Sequence, residues 1–191
     1  YASSFSLLNN IWYAQYPRGH FQFFDDRKEW LGADKAGHAV TSYAESHYSY
    51  AMCRWAGLSE RRAIWLGMAT ASFSQATLEV LDGFSTEWGF STSDIVANTA
   101  GCALFGIQQA YWKEQRFLLK ISNTPRNYPN LPIYSVDNKH ISSLEERAAA
   151  LYGTHYAHTF FKDYNAAIYW FSANPAAFMP AARFPRWLNV A

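Results

Sequence analysis

The chain has 191 residues, of which 50% are hydrophobic, 18% aromatic and only 16% charged, against roughly 25% charged in an average soluble domain. Disorder is excluded, because it requires low hydrophobicity with high net charge. The near balance of 16 Lys plus Arg against 15 Asp plus Glu argues against a nucleic-acid binder, which carries a basic excess or stripe.

Cys53 and Cys102 stand far apart without a CxxC spacing, so neither a zinc ribbon nor a disulfide framework is expected. The 8 Trp, 13 Tyr and 14 Phe suit a surface that is half apolar and half wet, such as a membrane interface or a broad protein contact. The chain opens Tyr-Ala-Ser-Ser without Met or an apolar leader, which reads either as a leader removed or as a fragment. Two stretches, 63–78 and 95–112, approach the ~20 apolar residues of a membrane span. Both carry Ser, Asn or Gln inside, and the mean hydropathy of −0.23 favours membrane association over spanning.

In chain order, residues 4–17 predict a short amphipathic helix stopped by Pro17, and 18–30 an aromatic and charged connector. A helix is expected over 33–55, closed by Gly57, and a second over 59–82 behind Ser59, ended by Asp82-Gly83. Ser91-Thr92-Ser93-Asp94 opens a third helix over 92–116 with capping-box spacing. Residues 117–122 (FLLKIS) fit either a strand or the tail of that helix. The Pro- and Asn-rich 123–131 marks a linker, and Ser143 with Glu146 caps a helix over 144–152. The expected fold is all-α: a bundle of three to five helices with an irregular, aromatic C-terminal extension. The domains are then 1–122, a helical core with the polar motif, and 123–191, linker, short helix and extension.

Polar residues recur along the apolar helices. Asp34, His38 and Glu45 share one face of the first helix, Ser72, Gln75, Glu79 and Asp82 one face of the second, and Asp94 and Asn98 one face of the third. Packed inward, they would bring carboxylates, an imidazole and amides to one point, which is costly unless they pair or bind a cation. Each has a plainer reading. Asp34 suits a helix dipole, His38 a core histidine, Glu79 a solvent face, Asp82 a turn and Asp94 the third position of a capping box. One His with several carboxylates fits a hard divalent ion or acid–base work. Neither the metal nor any cofactor is legible, and the chain contains no GxSxG, Walker A, GxGxxG or HExxH motif. His155 and His158 read as a surface pair.

The residues DKAGH (34–38), LEVLDGFSTEWGFSTSD (78–94) and IVANTAG (95–101) resemble the YfiM-type family of periplasmic lipoproteins of Gram-negative bacteria. The long form in Bacteroidota is the nearer likeness, through KDYNAAIYWFSAN (162–174) and FPRWLNVA (184–191). More remotely, the DKxxH and SxxDxxxNxxG patterns are similar to VanZ-like membrane proteins, whose spanning helices are far less polar. The resemblance implies an exported, outer-membrane-associated helical protein with no assigned reaction. It points by position to Asp34, Lys35, His38, Glu79, Asp82, Asp94 and Asn98. It also implies a chain that continues past residue 191.

The expected function is therefore a non-enzymatic accessory subunit or scaffold on the periplasmic side of the outer membrane, with no nucleic-acid partner. The aromatic segment 155–191 is the expected contact for a membrane or membrane-protein partner, lipid included. The alternative is an acid–base or metal-assisted enzyme acting on an envelope lipid or glycan through Asp34, His38, Glu79 and Asp94.

Overall fold

The structure, a computed structural model, describes residues 17–136 and 140–179. The helix expected over 4–17 lies outside these except for Pro17. Two compact units divide the chain: Tyr1–Lys120 with Tyr169–Ala191, and Ile121–Ile168.

The first unit is built on three long helices, α1 (Ala33–Trp55), α2 (Glu60–Gly83) and α3 (Thr92–Trp112). The first turn between them is set by local chemistry. Gly57 takes φ +85, and the amides of Gly57 and Leu58 close on the carbonyls of Arg54 and Cys53 at 3.0 Å each. This Schellman closure ends α1 and reverses the chain in four residues. Ser59 occupies the N-cap of α2 without a side-chain cap bond. The loop after α2 is shaped by the first part of the connector, residues 19–24, which runs beside it. Gly19 and Gln22 donate to Phe84 and Gly83 at 2.8 Å, while Phe24 and Phe90 exchange bonds with Phe90 and Gln22 at 3.1 and 2.9 Å. Phe21, Phe23, Phe84 and Phe90 pack ring against ring on this joint.

α3 stops at Trp112, short of the expected Arg116, because Lys113 turns left-handed at φ +61. The Gln108 side chain accepts the amides of Arg116 and Phe117 at 2.9 and 2.7 Å, so the chain is taken off the helix and started as a strand. That strand, β1 (Phe117–Asn123), pairs with β4 (Ala167–Ala173). Within the first unit Phe171 stacks on Phe117 at 5.6 Å and Phe178 meets Trp112 at 6.0 Å.

The second unit holds a hairpin of β2 (Pro132–Tyr134) and β3 (Ile141–Ser143), then α4 (Leu144–Tyr152) and α5 (Tyr156–Lys162). The capping box expected at Ser143 and Glu146 is formed, and it starts α4 at the expected residue. Tyr128 donates to Asp163 at 2.9 Å, and Asn165 donates to the Tyr152 and Tyr128 hydroxyls.

The all-α expectation is corrected: the described residues are 57% helical and 15% strand in two small sheets, a mixed α/β fold. The extension beyond 152, expected to be irregular, carries α5 and β4. Residues 167–173 (AIYWFSA) are rich in the aromatic and β-branched types that fit a pleated surface. Their partner strand lies more than forty residues upstream, beyond the reach of local patterning.

The three-helix core is small and polar inside. Ser42, Ser46, Gln75, Glu79, Asp94, Asn98, Gln108 and Gln109 are buried beside Val40, Ala63, Ala71, Cys102 and Phe105, while Trp55, Trp65, Phe73 and Tyr111 stand outside. Close helix approach follows from the small residues. A Cβ on Gly101 would strike the Ala39 carbonyl and the Ser42 hydroxyl, and one on Gly67 would lie 2.6 Å from the Ser46 carbonyl. Gly101→Ala is therefore expected to destabilise the chain by about 1–3 kcal/mol through overpacking. Urea unfolding checks this, and an unchanged midpoint would mean that α1 and α3 are not in backbone contact.

Candidate functional site

The site forms where the start of α1, the end of α2 and the start of α3 meet. Antiparallel packing of α1 on α2 and of α2 on α3 brings together residues that are sixty positions apart. Lys35 is the centre. Its Nζ lies 2.8 Å from Asp26 Oδ2, 2.8 Å from Asp34 Oδ2 and 2.6 Å from Asp94 Oδ1. One ammonium thus joins the connector, α1 and α3. Burial works against its charge, but the three carboxylates outweigh that and hold its pKa well above the usual lysine value.

Asp34 and Asp94 each give their second oxygen to His38, at 3.7 and 3.6 Å from Nε2. On the other edge of the ring, Nδ1 lies 3.2 Å from Asn98 Oδ1 and 3.7 Å from Glu79 Oε1. Glu79 is 1% exposed and Asp94 4%. The side chains of Asp34, Lys35 and His38 keep 16–19% of their surface in solvent. Glu79 Oε1 and Asn98 Nδ2 are buried without a hydrogen-bond partner among the described residues.

Asp94 does not close the expected capping box. Its amide donates to Ser91 Oγ at 3.1 Å, half of that motif. The returning carboxylate is Glu79, whose Oε2 accepts the Ser91 amide at 3.3 Å. With Glu79 in that role, the Asp94 carboxylate is free to face Lys35 and His38. The cap and the site are therefore one structure.

The carboxyls are not equivalent. Burial, reinforced by the nearby charges of Asp94 and Asp82, pushes Glu79 up to about 8. Burial also raises Asp94, to about 6, against the attraction of His38 and Lys35. Asp26 is desolvated too, but bonds from Lys35, Ser91 and Ser93 outweigh burial and hold it far below the usual range. Its Oδ1 accepts Ser91 Oγ at 2.7 Å and Ser93 Oγ at 2.8 Å.

Of the residues singled out from the sequence, Asp34, Lys35, His38, Glu79, Asp94 and Asn98 converge, and Asp82 acts on Glu79 by its charge from one turn away. Glu45 lies elsewhere, accepting from Ser74 at 3.2 Å and Gln75 at 3.1 Å. Asp26, Ser91 and Ser93 are full members that the motif reading missed as such. Asp26 sits in the connector, and only the pairing of 19–24 with 83–90 brings it over α3. The approach to α1 is sharply bent: Trp30, Leu31 and Gly32 take φ of 48, 54 and 84 in succession, a costly path for the two non-glycines that lets Asp26 and Lys35 meet.

His38 Nε2, Asp34 Oδ1 and Asp94 Oδ2 offer one nitrogen and two oxygens, and these three residues are spaced to hold a small ion. The same carboxylates already hold the Lys35 ammonium, so any such ion would share them with a fixed positive charge.

Residues 22–110 match a family described as a predicted periplasmic lipoprotein, DUF2279. The matched segment spans the connector from Gln22, α1, α2 and nearly all of α3, and so contains every residue of the site. No curated protein and no solved structure matches the chain. Among the described residues, no helix is long and apolar enough to cross a membrane.

The raised carboxyls set a pH dependence. Glu79 and Asp94 hold protons in the folded chain at pH values where the unfolded chain, with ordinary values of 4.5 and 3.8, has released them. Their contribution is therefore complete in acid and is lost as pH rises toward 8. Asp26 acts oppositely, but only in stronger acid. Unfolding free energy is expected to fall between pH 5 and 8, with Glu79 contributing on the order of 2–4 kcal/mol of the drop. Glu79→Gln should flatten the profile, and an equal slope in both proteins would refute the assignment.

Proposed function

We propose that this chain is a non-enzymatic accessory protein of the bacterial cell envelope, acting on the periplasmic side of the outer membrane. In this reading the ionic cluster locks the helices in register. The match of residues 22–110 to predicted periplasmic lipoproteins supports the compartment. The observation that carries the structural role is closure. Lys35 is held by three carboxylates, and the two groups best placed for proton transfer, Glu79 and Asp94, are almost wholly buried. A lysine held this closely by carboxylates from three segments suits a part that is kept rather than one that turns over a substrate. The aromatic segment from 155 onward is the proposed partner surface, supported by Trp170, Phe171 and Phe178, which keep about half or more of their surface exposed.

Isolation from native membranes in mild detergent is expected to retain a partner at fixed ratio, and recovery of the chain alone would overturn the accessory role. Within the protein, Lys35→Met strands three carboxylates and is expected to cost about 3–5 kcal/mol in chemical denaturation. Lys35→Arg should recover part of that loss.

A second reading, an acid–base or metal-assisted enzyme for an envelope lipid or glycan, is favoured by one observation. The His38 edge reaches solvent beside Asp34 Oδ1 and Asp94 Oδ2. Calorimetric titration with Mn²⁺ or Zn²⁺ separates the two readings. Stoichiometric binding lost in Asp34→Asn supports the second, and no heat of binding supports the lock.

A further inference from the structure

The far end of the three-helix unit carries a different chemistry. There Tyr50 donates to Glu60 at 2.8 Å, and Gln109 donates to both at 3.0 Å, so the end of α1, the start of α2 and the end of α3 are tied together. Five cations gather at this end: Arg54, Arg61, Arg62, Lys113 and Arg116. Its two carboxylates are already answered, Glu60 by Arg54 at 3.2 Å and Glu114 by Arg116 at 2.9 Å. Exposed Arg61, Arg62 and Lys113 therefore carry positive charge with no carboxylate partner among the described residues. Four other acidic groups of the helices, Asp34, Glu79, Asp82 and Asp94, lie at the opposite end instead.

A collar of large side chains surrounds these cations. Trp55 is 91% exposed, Tyr111 81%, Met52 70% and Trp65 64%. They come from all three helices, each within about two turns, roughly 10 Å, of the tip. An open groove of about 540 Å³ on this end is lined by Arg61, Arg62, Trp65 and Leu66. Trp and Tyr settle at the level of lipid headgroups, and basic residues beside them are drawn to anionic lipid. Two tryptophans of this exposure stand beside a net excess of positive charge, five cations against two carboxylates.

We propose that this end of the helical unit docks on an anionic phospholipid surface, with Arg61 and Arg62 on lipid phosphates and Trp55, Trp65 and Tyr111 at headgroup depth. The attachment is peripheral, by side chains, and leaves the Lys35 cluster at the end turned away from the bilayer. It is independent of whether that cluster is a lock or a catalytic centre.

The test is flotation of the 191-residue chain with vesicles of pure phosphatidylcholine and of an equimolar phosphatidylglycerol mixture. Binding is expected to the anionic vesicles, to weaken with added salt and to shift tryptophan emission to the blue. Arg61→Gln with Arg62→Gln should weaken partitioning by roughly fivefold per arginine, whereas Arg27→Gln in the connector should not change it. Brominated lipids should quench the wild type, and Trp55→Phe with Trp65→Phe should remove most of that quenching, a readout that does not depend on the arginine variants folding. Equal binding to both vesicle types, no binding, or binding indifferent to the double arginine change would overturn the proposal. So would a lipid-independent dimer that buries Trp65.

Discussion

The geometry of the first unit depends on a single ammonium group held among three carboxylates. Lys35 lies in the first turn of α1, yet its partners come from the connector, from its own helix and from α3. Taking a lysine and several acids out of water is unfavourable unless every charge is matched closely. That condition fixes where the connector must run and how near α3 must approach α1. Glycine at 101 and the small residues at 39 and 42 permit the approach. The backbone pairing of the connector with the 83–90 loop delivers Asp26. The bent segment at Trp30–Gly32 is strained locally and acceptable because it lets Asp26 and Lys35 meet.

Glu79 couples this knot to helix capping. By accepting the Ser91 amide it completes the start of α3, and by staying protonated near neutral pH it avoids adding a further negative charge to an already acidic site. The assembly is thus sensitive to charge at one buried carboxyl, although most of its members are several ångströms away from that proton.

Much of this was legible in the residues themselves. The i, i+4 spacing of Asp34 with His38 and of Asp94 with Asn98, and the placement of Glu79 and Asp82, are periodicities that survive in any packing of these helices. So are the bounds of α1 and α4, which rest on Gly57 and on the Ser143–Glu146 box. Asp26 was not legible, because its position follows from tertiary backbone pairing and not from any helical period. Nor was the end of α3: Gln108 reaches forward to seize two amides, and nothing in the local pattern distinguishes it from Gln109, which donates to Tyr50 and Glu60 instead. The strands β1 and β4 depend on each other across an intervening unit, which is why the C-terminal region read as irregular.

The Lys35–Asp94 contact carries the account, and a double-mutant cycle on it is the most direct measurement. Unfolding free energies of the wild type, Lys35→Met, Asp94→Asn and the double variant would be compared at pH 7. A coupling energy above about 1.5 kcal/mol, near the middle of the range for residues in one buried network, is the expected result. Additive effects within error would show that the ammonium and the α3 carboxylate do not act on each other, and would contradict the claim that one cation organises the site.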